Sequence, residues 1–343
     1  MDVDEVPLEA AEDAILVHSL AVDGGRLRKG VRLGRTELEA LRRAGLTRVM
    51  VARLAAGDLG EDEAAAAVAR AALGPHVEAS GAATGRCNLI AAAPGLVRLD
   101  AAAILAANRI DEGVTLASLP PFERVGAGQV VATCKIVPFA VPATVVEAVC
   151  ETLRADGTAV EVVPFRPLRA GLLQTELPGT KPEVLAKTAR TTRERVEGLG
   201  GRLLAERTVP HRADEVRRGL EALAGEGCEV VLVVGASATV DRRDVIPRAV
   251  ELAGGEVMHF GMPVDPGNLT LVGRLPGAAL LSLPGSFRSP RVQGCDWLLW
   301  RLFAGLSVAP DVIAAMGVGG LLKDIRDRPL PRHRAVRQPT AKR

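Results

Sequence analysis

EVVLVVGASATVDRRDVIP, residues 229–247, is the stretch that decides the fold of the C-terminal half of the chain. Residues 229–234 form a nearly unbroken β-branched run, which is typical of a strand buried on both faces. Five small residues follow this run. The apolar periodicity of residues 245–252 then predicts a helix that ends at Gly254 and Gly255. A buried strand, a short loop and a helix indicate a parallel sheet covered by helices.

The same alternation of strands and helices continues on both sides of this segment. Further strands are predicted at residues 168–175, 202–209, 256–260, 269–272 and 279–283. Helices are predicted at residues 181–199, 213–223 and 289–304. The sequence therefore predicts an α/β fold, with a doubly wound, mostly parallel sheet and helices on both faces, over residues 161–322.

The preceding half has a different pattern and predicts an N-terminal α+β region. Residues 1–77 are predicted to form an α/β segment, because Leu38, Leu41 and Leu46 share a helical face and residues 47–54 read as a strand. Thr36 is the predicted N-cap of that helix. Residues 78–160 are predicted to be β-rich, since apolar β-branched runs alternate there with Gly and Pro turns.

Composition narrows the class of protein. Hydrophobic residues make up 48% and charged residues 24% of the 343 residues, a balance typical of soluble globular proteins. The longest charge-free run, residues 275–287, is shorter than the roughly 18 residues of a membrane span, so no membrane partner is expected. The acidic start is unlike a secretory signal, and five unpatterned cysteines fit a reducing compartment. We therefore expect a cytoplasmic protein.

The last 21 residues, 323–343, contain eight Lys or Arg and two Asp or Glu, so their net charge exceeds the +2 of the whole chain. Three prolines predict a basic, disordered tail rather than a helix. A basic tail can touch nucleic acid or phosphate. No aromatic residue interleaves with these charges, so the tail lacks a stacking platform for single-stranded nucleic acid, and no DNA partner is expected.

Three loops at predicted strand ends are candidate binding sites, because ligands of open parallel sheets bind outside the carboxyl ends of the strands. The first loop consists of Gly235, Ala236, Ser237, Ala238 and Thr239. Small residues let the backbone approach an anion, and the following helix adds free N–H groups. The alternative is a turn selected for packing alone. The loop matches neither the dinucleotide fingerprint nor the P-loop.

The second candidate is the charged segment that follows directly, Asp241, Arg242, Arg243 and Asp244. Their order favours a carboxylate that binds Mg²⁺ beside guanidinium groups that pair with an anion. A solvated helix start, with Asp244 as the N-cap, is an equally open interpretation.

The third loop contains Pro284, Gly285, Ser286, Arg288 and Ser289. Pro-Gly predicts a tight turn, and the hydroxyls, N–H groups and guanidinium could hold a second anion. A plain turn with a Ser cap is the alternative. The five histidines are far apart, and none forms a metal-ligand pattern with the cysteines.

At these residues the chain resembles the molybdopterin-binding domain of molybdenum-cofactor biosynthesis proteins. The resemblance lies in VLVVGASATVDRRDVIP (231–247), HFGMPVDPGN (259–268) and the Leu-Pro-Gly turn (283–285). The N-terminal segments ILVHSL, LRKG, ALRRAGLTRVMV and GEDEAA resemble molybdopterin molybdenumtransferase-like proteins. The resemblance is strongest over residues 228–310.

The resemblance implies molybdopterin as substrate or ligand, bound across the two loops. The implied ligand contacts are Gly235, Ala236, Ser237, Ala238, Thr239, Arg242, Arg243, Pro284, Gly285, Ser286, Arg288 and Ser289. Asp244 matches the family's acidic residue, which implies a catalytic role and Mg²⁺ binding. The implied activity is that of a transferase that inserts or transfers molybdenum on the bound pterin.

Two departures keep an alternative function open. The family's Gly-Gly-Thr-Gly is Gly-Ala-Ser-Ala here, and His211 follows Pro210 where family members often carry Asp. The alternative is a non-catalytic protein that binds molybdopterin, or its nucleotide-activated form, and delivers it to a nucleotidyltransferase or a molybdoenzyme maturation partner. A homo-oligomer is expected, with a closed dimer as the commonest form.

Overall fold

The computed structural model describes residues 1–322, and the predicted basic tail at 323–343 lies outside them. The chain divides into two compact units, Met1–Pro164 and a second that begins at Phe165. Among the described helices, none has the length and apolar character needed to cross a membrane.

The first unit combines small sheets with four helices. Its strands are β1 (Asp2–Pro7), β2 (Ile15–Leu16), β3 (Leu20–Val22), β4 (Gly25–Leu27), β5 (Arg48–Arg53), β6 (Asp58–Gly60), β7 (Val77–Ala79), β8 (Arg86–Ala91), β9 (Gly95–Leu99), β10 (Val114–Ser118), β11 (Arg124–Val125), β12 (Val130–Ile136), β13 (Ala140–Pro142) and β14 (Val160–Pro164). Its helices are α1 (Arg35–Arg43), α2 (Glu61–Ala72), α3 (Ala101–Ala107) and α4 (Ala143–Arg154). The largest sheet has the order β10-β12-β8-β7, and α2 and α4 pack in its core.

Helix α1 buries Leu38 and Leu41, as its spacing predicts, but it begins before the predicted N-cap Thr36. Its N-cap is Gly34, whose N–H donates to Glu37 Oε2 at 3.0 Å. The carboxylate three residues into the helix therefore fixes the start of α1.

The second unit is one six-stranded sheet with helices on both faces. Its strands are β15 (Arg169–Glu176), β16 (Arg202–Pro210), β17 (Val230–Val234), β18 (Glu256–Phe260), β19 (Leu271–Leu275) and β20 (Ala278–Leu283). Its helices are α5 (Pro182–Glu197), α6 (Ala213–Gly225), α7 (Val245–Leu252), α8 (Gly294–Phe303) and α9 (Pro310–Ala315). The strand order is β16-β15-β17-β20-β19-β18. The pairs β16–β15, β15–β17 and β17–β20 are parallel. Strand β19 is antiparallel to both β20 and β18. The predicted α/β fold, with a doubly wound, mostly parallel sheet, is confirmed.

Side chains alternate between the two faces of this sheet. On β15, Leu172 packs in the core that contains residues of α5 and α8, and Leu173 packs in the core that contains residues of α6 and α7. All five residues of β17 are buried, since each face is covered by helices. Burial of each such Val or Leu contributes about 1.5–3 kcal/mol, so β17 anchors the unit.

Two predicted elements have different bounds in the structure. The helix predicted at residues 289–304 is preceded by a 3-10 turn, Gly285–Arg288, and α8 begins only at Gly294. Its start is set by the capping box in which Gln293 N–H donates to Asp296 Oδ2 at 2.8 Å. The strand predicted at 269–272 lies at Leu271–Leu275, because a tight turn through Gly277 (φ +84°) pairs Leu275 with Ala278.

Candidate functional site

The candidate site lies at the edge of the six-stranded sheet where the parallel strands end. Val234, the last residue of β17, is in register with Gln174 of β15 and with Leu283 of β20. The loops that begin at Gly235 and Pro284 therefore leave from neighbouring strands at one edge. This is the position where open α/β sheets bind ligands.

The loop after β17 is held close to the sheet at its start and is exposed beyond it. A Cβ on Gly235 would lie 2.6 Å from the Ser237 carbonyl oxygen, so only glycine fits there without a shift. Ser237 and Ala238 are exposed, whereas Thr239 is buried. Within residues 1–322, the backbone N–H groups of Ser237 and Ala238 donate no hydrogen bond. Unpaired N–H groups in exposed loop residues are suited to binding an anion.

One hydroxyl joins three strand ends at this edge. Thr175 on β15 accepts a hydrogen bond from the Ala236 N–H at 2.7 Å. Its Oγ1 is also 2.8 Å from Nδ1 of His211, which follows β16. Thr175 is buried, so these contacts fix the start of the loop. Sequence reasoning missed Thr175, and its one signal is a polar residue at the end of an apolar strand.

Asp244 acts as the N-cap of α7 in this structure. Its Oδ1 accepts from the Val245 N–H at 2.7 Å, and its Oδ2 accepts from the Val240 N–H at 3.2 Å. Both oxygens are thus hydrogen bonded to backbone, one to the first residue of α7 and one to the preceding loop. The interpretation of Asp244 as a cap agrees with this geometry, and its catalytic and metal-binding roles stay predictions.

The other charged residues of this stretch do not converge on one point. Asp241 Oδ1 accepts from Arg243 Nε at 2.8 Å, and this hydrogen bond lowers the pKa of the Asp241 carboxyl below its usual value. Arg242 donates to the Val257 carbonyl oxygen at 3.2 Å. The Arg243 side chain is 92% exposed and remains accessible to an anion in solvent.

The residues around Asp244 do not form a preorganised Mg²⁺ site. Among residues 1–322, no cluster of three or more His, Cys, Asp or Glu side chains is placed to hold a metal ion. Asp241, the neighbouring carboxylate, is paired with Arg243. This donor set fits a capped helix start better than a resident cation, which in proteins needs several oxygen ligands.

The loop after β20 is built around a buried phenylalanine and a buried amide. Phe287 is fully buried, and Ser286 Oγ donates to Gln293 Oε1 at 2.6 Å. Arg288 donates from Nε to Thr188 Oγ1 on α5 at 2.9 Å, and burial lowers the pKa of its guanidinium. Pro284 and Ser289 are half-buried at the two ends of the turn, and Gly285 and Ser286 are exposed.

Arg195 on α5 anchors the end of this loop. Its Nε donates to Asp296 Oδ1 at 2.7 Å, and its Nη2 donates to the Ser289 carbonyl oxygen at 2.7 Å. The guanidinium also lies over the Phe287 ring, 4.2 Å from the centroid. These contacts link α5, the loop and α8 into one support, which sequence reasoning did not find.

Two concavities of the second unit lie away from these loops. One of about 270 Å³ is lined by residues of α6, by Ala253 after α7 and by Leu275 and Pro276 at the end of β19. One of about 360 Å³ lies along β18, β19 and β20. Neither is lined by a predicted ligand contact. The candidate site is therefore an open edge and not one of these cavities.

Comparison with known proteins gives one family match and several similar structures. Residues 5–53 match the family described as Domain of unknown function (DUF8806). No curated protein matches the chain in sequence. Solved structures that the chain resembles include molybdopterin and tungsten cofactor biosynthesis proteins.

Three of these structures illustrate the extent of the likeness. The molybdopterin biosynthesis enzyme MoaB of Thermus thermophilus is 20% identical, with a TM-score of 0.29, over 44% of this chain and 97% of that one. The tungsten cofactor synthesizing protein MoaB of Pyrococcus furiosus is 19% identical, with a TM-score of 0.29, over 40% and 91%. The molybdopterin biosynthesis MoeA protein of Pyrococcus horikoshii is 14% identical, with a TM-score of 0.26, over 83% and 70%.

Proposed function

We propose that this protein binds molybdopterin at the carboxyl edge of its six-stranded sheet and acts in molybdenum cofactor biosynthesis. One observation carries the proposal. The two segments whose sequences resemble the family's binding loops begin at register-paired residues of neighbouring strands, Val234 and Leu283. A ligand of the size of a pterin phosphate can contact both loops from one position.

The chemistry of the edge supports an anionic ligand. The unpaired N–H groups of Ser237 and Ala238 would receive the phosphate, and the exposed Arg243 would add a positive charge. Thr175 and Arg195 would act as positioning residues, since they fix the two loops and do not reach the ligand themselves. The proposal requires no Mg²⁺ held by the protein.

Equilibrium binding of molybdopterin under reducing conditions, followed by pterin fluorescence, tests this proposal. We expect submicromolar binding by the wild type and weaker binding by Arg243→Ala. Arg274→Ala is the matched control. Arg274 is also exposed and forms an ion pair, with Glu256. Its register partner Ala279 lies near the start of β20, at the other end of that strand from the candidate site. Failure of the wild type to bind at high micromolar concentration would refute the proposal.

Whether the bound pterin is converted separates two forms of the proposal. Insertion of molybdenum, with Asp244 as the catalytic residue, is the first. Delivery of unchanged cofactor to a nucleotidyltransferase or molybdoenzyme maturation partner is the second, and the capping hydrogen bonds of Asp244 favour it. Mass analysis of the pterin after a single turnover with molybdate distinguishes them. A molybdenum-bearing product refutes a pure carrier, and unchanged pterin refutes insertion.

A further inference from the structure

Gln174 is a buried polar side chain with an unpaired oxygen at the candidate site. The residue is 5% exposed, and its Oε1 has no hydrogen-bond partner in the described part of the chain. Reversing the carboxamide would bury an unpaired N–H₂ group instead, so neither orientation satisfies both ends. An orphaned buried polar atom destabilises the fold, which calls for a compensating partner.

Gln174 lies at the same edge of the sheet as the two loops. It lies two residues before the end of β15, in register with Val234, the residue that precedes the loop after β17. Leu173 faces α6, because a Cβ on Gly219 would meet its Cδ1 at 2.6 Å. Gln174 therefore faces the opposite side, where Leu172 packs among residues of α5, α8 and the 3-10 turn.

Towards β17 and β20 its neighbours in this row of the sheet are apolar, whereas its register partner on β16 is the exposed Thr208. Val234 and Leu283, the next residues across the sheet, are both buried in the core. A buried carboxamide in this row lowers the stability of the fold relative to Val or Leu, unless another group forms hydrogen bonds with it. At the carboxyl edge of the sheet, that partner can be a ligand.

We propose that Gln174 is a specificity-determining residue that recognises the lactam edge of a heterocyclic ligand, the ring N–H beside a ring C=O. A carboxamide offers one donor and one acceptor side by side, so it pairs with a lactam edge through two hydrogen bonds. Reversal of the amide exchanges its donor and acceptor, so the ligand would then pair with its lactam edge turned over. The inference rests on the proposed function, because the ring of molybdopterin is a pterin with such an edge.

A pair of ligands and a pair of variants test the inference. The ligands are neopterin 3′-phosphate, which has the lactam edge, and its 2,4-diamino analogue, which lacks it. Gln174→Met keeps an unbranched side chain of similar length without the carboxamide. Gln129→Met is the matched control, since Gln129 is an exposed turn residue of the first unit.

We expect the wild type to prefer the lactam ligand by about tenfold to a hundredfold, the ratio that two net hydrogen bonds supply. Gln174→Met should lose this preference and should keep or raise the midpoint of unfolding, because an orphaned acceptor is removed. Gln129→Met should keep the preference. A Gln174→Met protein that unfolds earlier and still prefers the lactam ligand overturns the inference.

The same assay separates this inference from the proposed function. Equal binding of both pteridines by the wild type and by Gln174→Met supports pterin binding and overturns the role of Gln174. Binding of guanosine monophosphate, another lactam-edged ligand, that depends on Gln174 without any pterin binding overturns the proposed function and supports the role. A crystal structure of the complex with only a buried water on Oε1, or no binding of any lactam ligand, overturns the inference.

Discussion

Replacement of Asp244 distinguishes a structural carboxylate from a catalytic one. The side chain accepts the N–H of Val245, the first residue of α7, and the N–H of Val240 in the preceding loop. Loss of an Asp N-cap to Ala costs about 0.5–2 kcal/mol, and we expect Asp244→Ala to lower the free energy of unfolding by this amount. Asp244→Asn keeps one acceptor oxygen. It loses the charge at the helix start, which costs about 0.3–1 kcal/mol, and it places an N–H₂ group against one of the two backbone N–H groups.

The two tryptophans make this measurement specific to the second unit. Trp297 and Trp300 are the only tryptophans in the sequence, and both lie on α8 and pack against the core of the sheet. Urea unfolding followed by tryptophan fluorescence therefore reports the stability of the unit that contains α7. Asp214→Asn, at an exposed acidic residue in the first turn of α6, is the matched control for loss of a helix-start charge alone and should cost about 0.3–1 kcal/mol.

Binding of molybdopterin by the same proteins completes the test. If Asp244 is only a cap, Asp244→Asn should bind and process the ligand as the wild type does. Asp244→Ala as stable as the wild type would refute the capping role. An Asn variant of near wild-type stability that loses more than about tenfold in binding, equivalent to about 1.4 kcal/mol, would show that the charge itself acts on the ligand.

Three further predictions follow from buried contacts of the structure. Arg195→Ala should lower the free energy of unfolding by about 3–5 kcal/mol, because it leaves the buried Asp296 carboxylate without its partner. Arg195→Lys should not restore the forked contact. Urea unfolding of Arg195→Ala that matches the wild type would contradict this prediction. Thr175→Val should cost about 1–3 kcal/mol and weaken pterin binding, since the Ala236 N–H loses its acceptor; unaltered binding and stability would refute the positioning role. All five cysteines are buried, and burial raises the pKa of Cys134 to about 12. A thiol reagent at about pH 8 should therefore label the native protein slowly and should label all five thiols after unfolding. Rapid labelling of native Cys134 would disprove its burial.

The order of strands and helices in the second unit could be read from the sequence because its signals are local. The β-branched run of β17 and the small-residue loop after it define a strand buried on both faces. Pro182 marks the start of α5, and Gly200 and Gly201 follow within a few residues of its end at Glu197. Each of these signals lies within a few residues of the element that it predicts.

The support of the candidate site could not be read in this way, because its contacts join distant residues. Arg195 and Asp296 are 101 residues apart, and Thr175 and His211 are 36 apart. No periodicity or turn motif links such pairs. The start of α8 is a different case, since it is set by the local capping box of Gln293 and Asp296, which the predicted helix over residues 289–304 did not use.

The alternatives for Asp244 also required coordinates. A carboxylate before an apolar helical run is typical of both an N-cap and a ligand for a cation, and the sequence contains nothing that separates them. The hydrogen bonds to Val240 and Val245 support the cap. They leave the identity of the ligand to binding experiments.

A crystal structure of the protein with bound molybdopterin is the most direct test of the central claim. We predict that the phosphate lies within hydrogen-bond distance of the Ser237 and Ala238 N–H groups, with the pterin ring against the loop after β20. Molybdopterin bound elsewhere, for example in the concavity along β18, β19 and β20, would contradict the assignment of the carboxyl edge as the binding site.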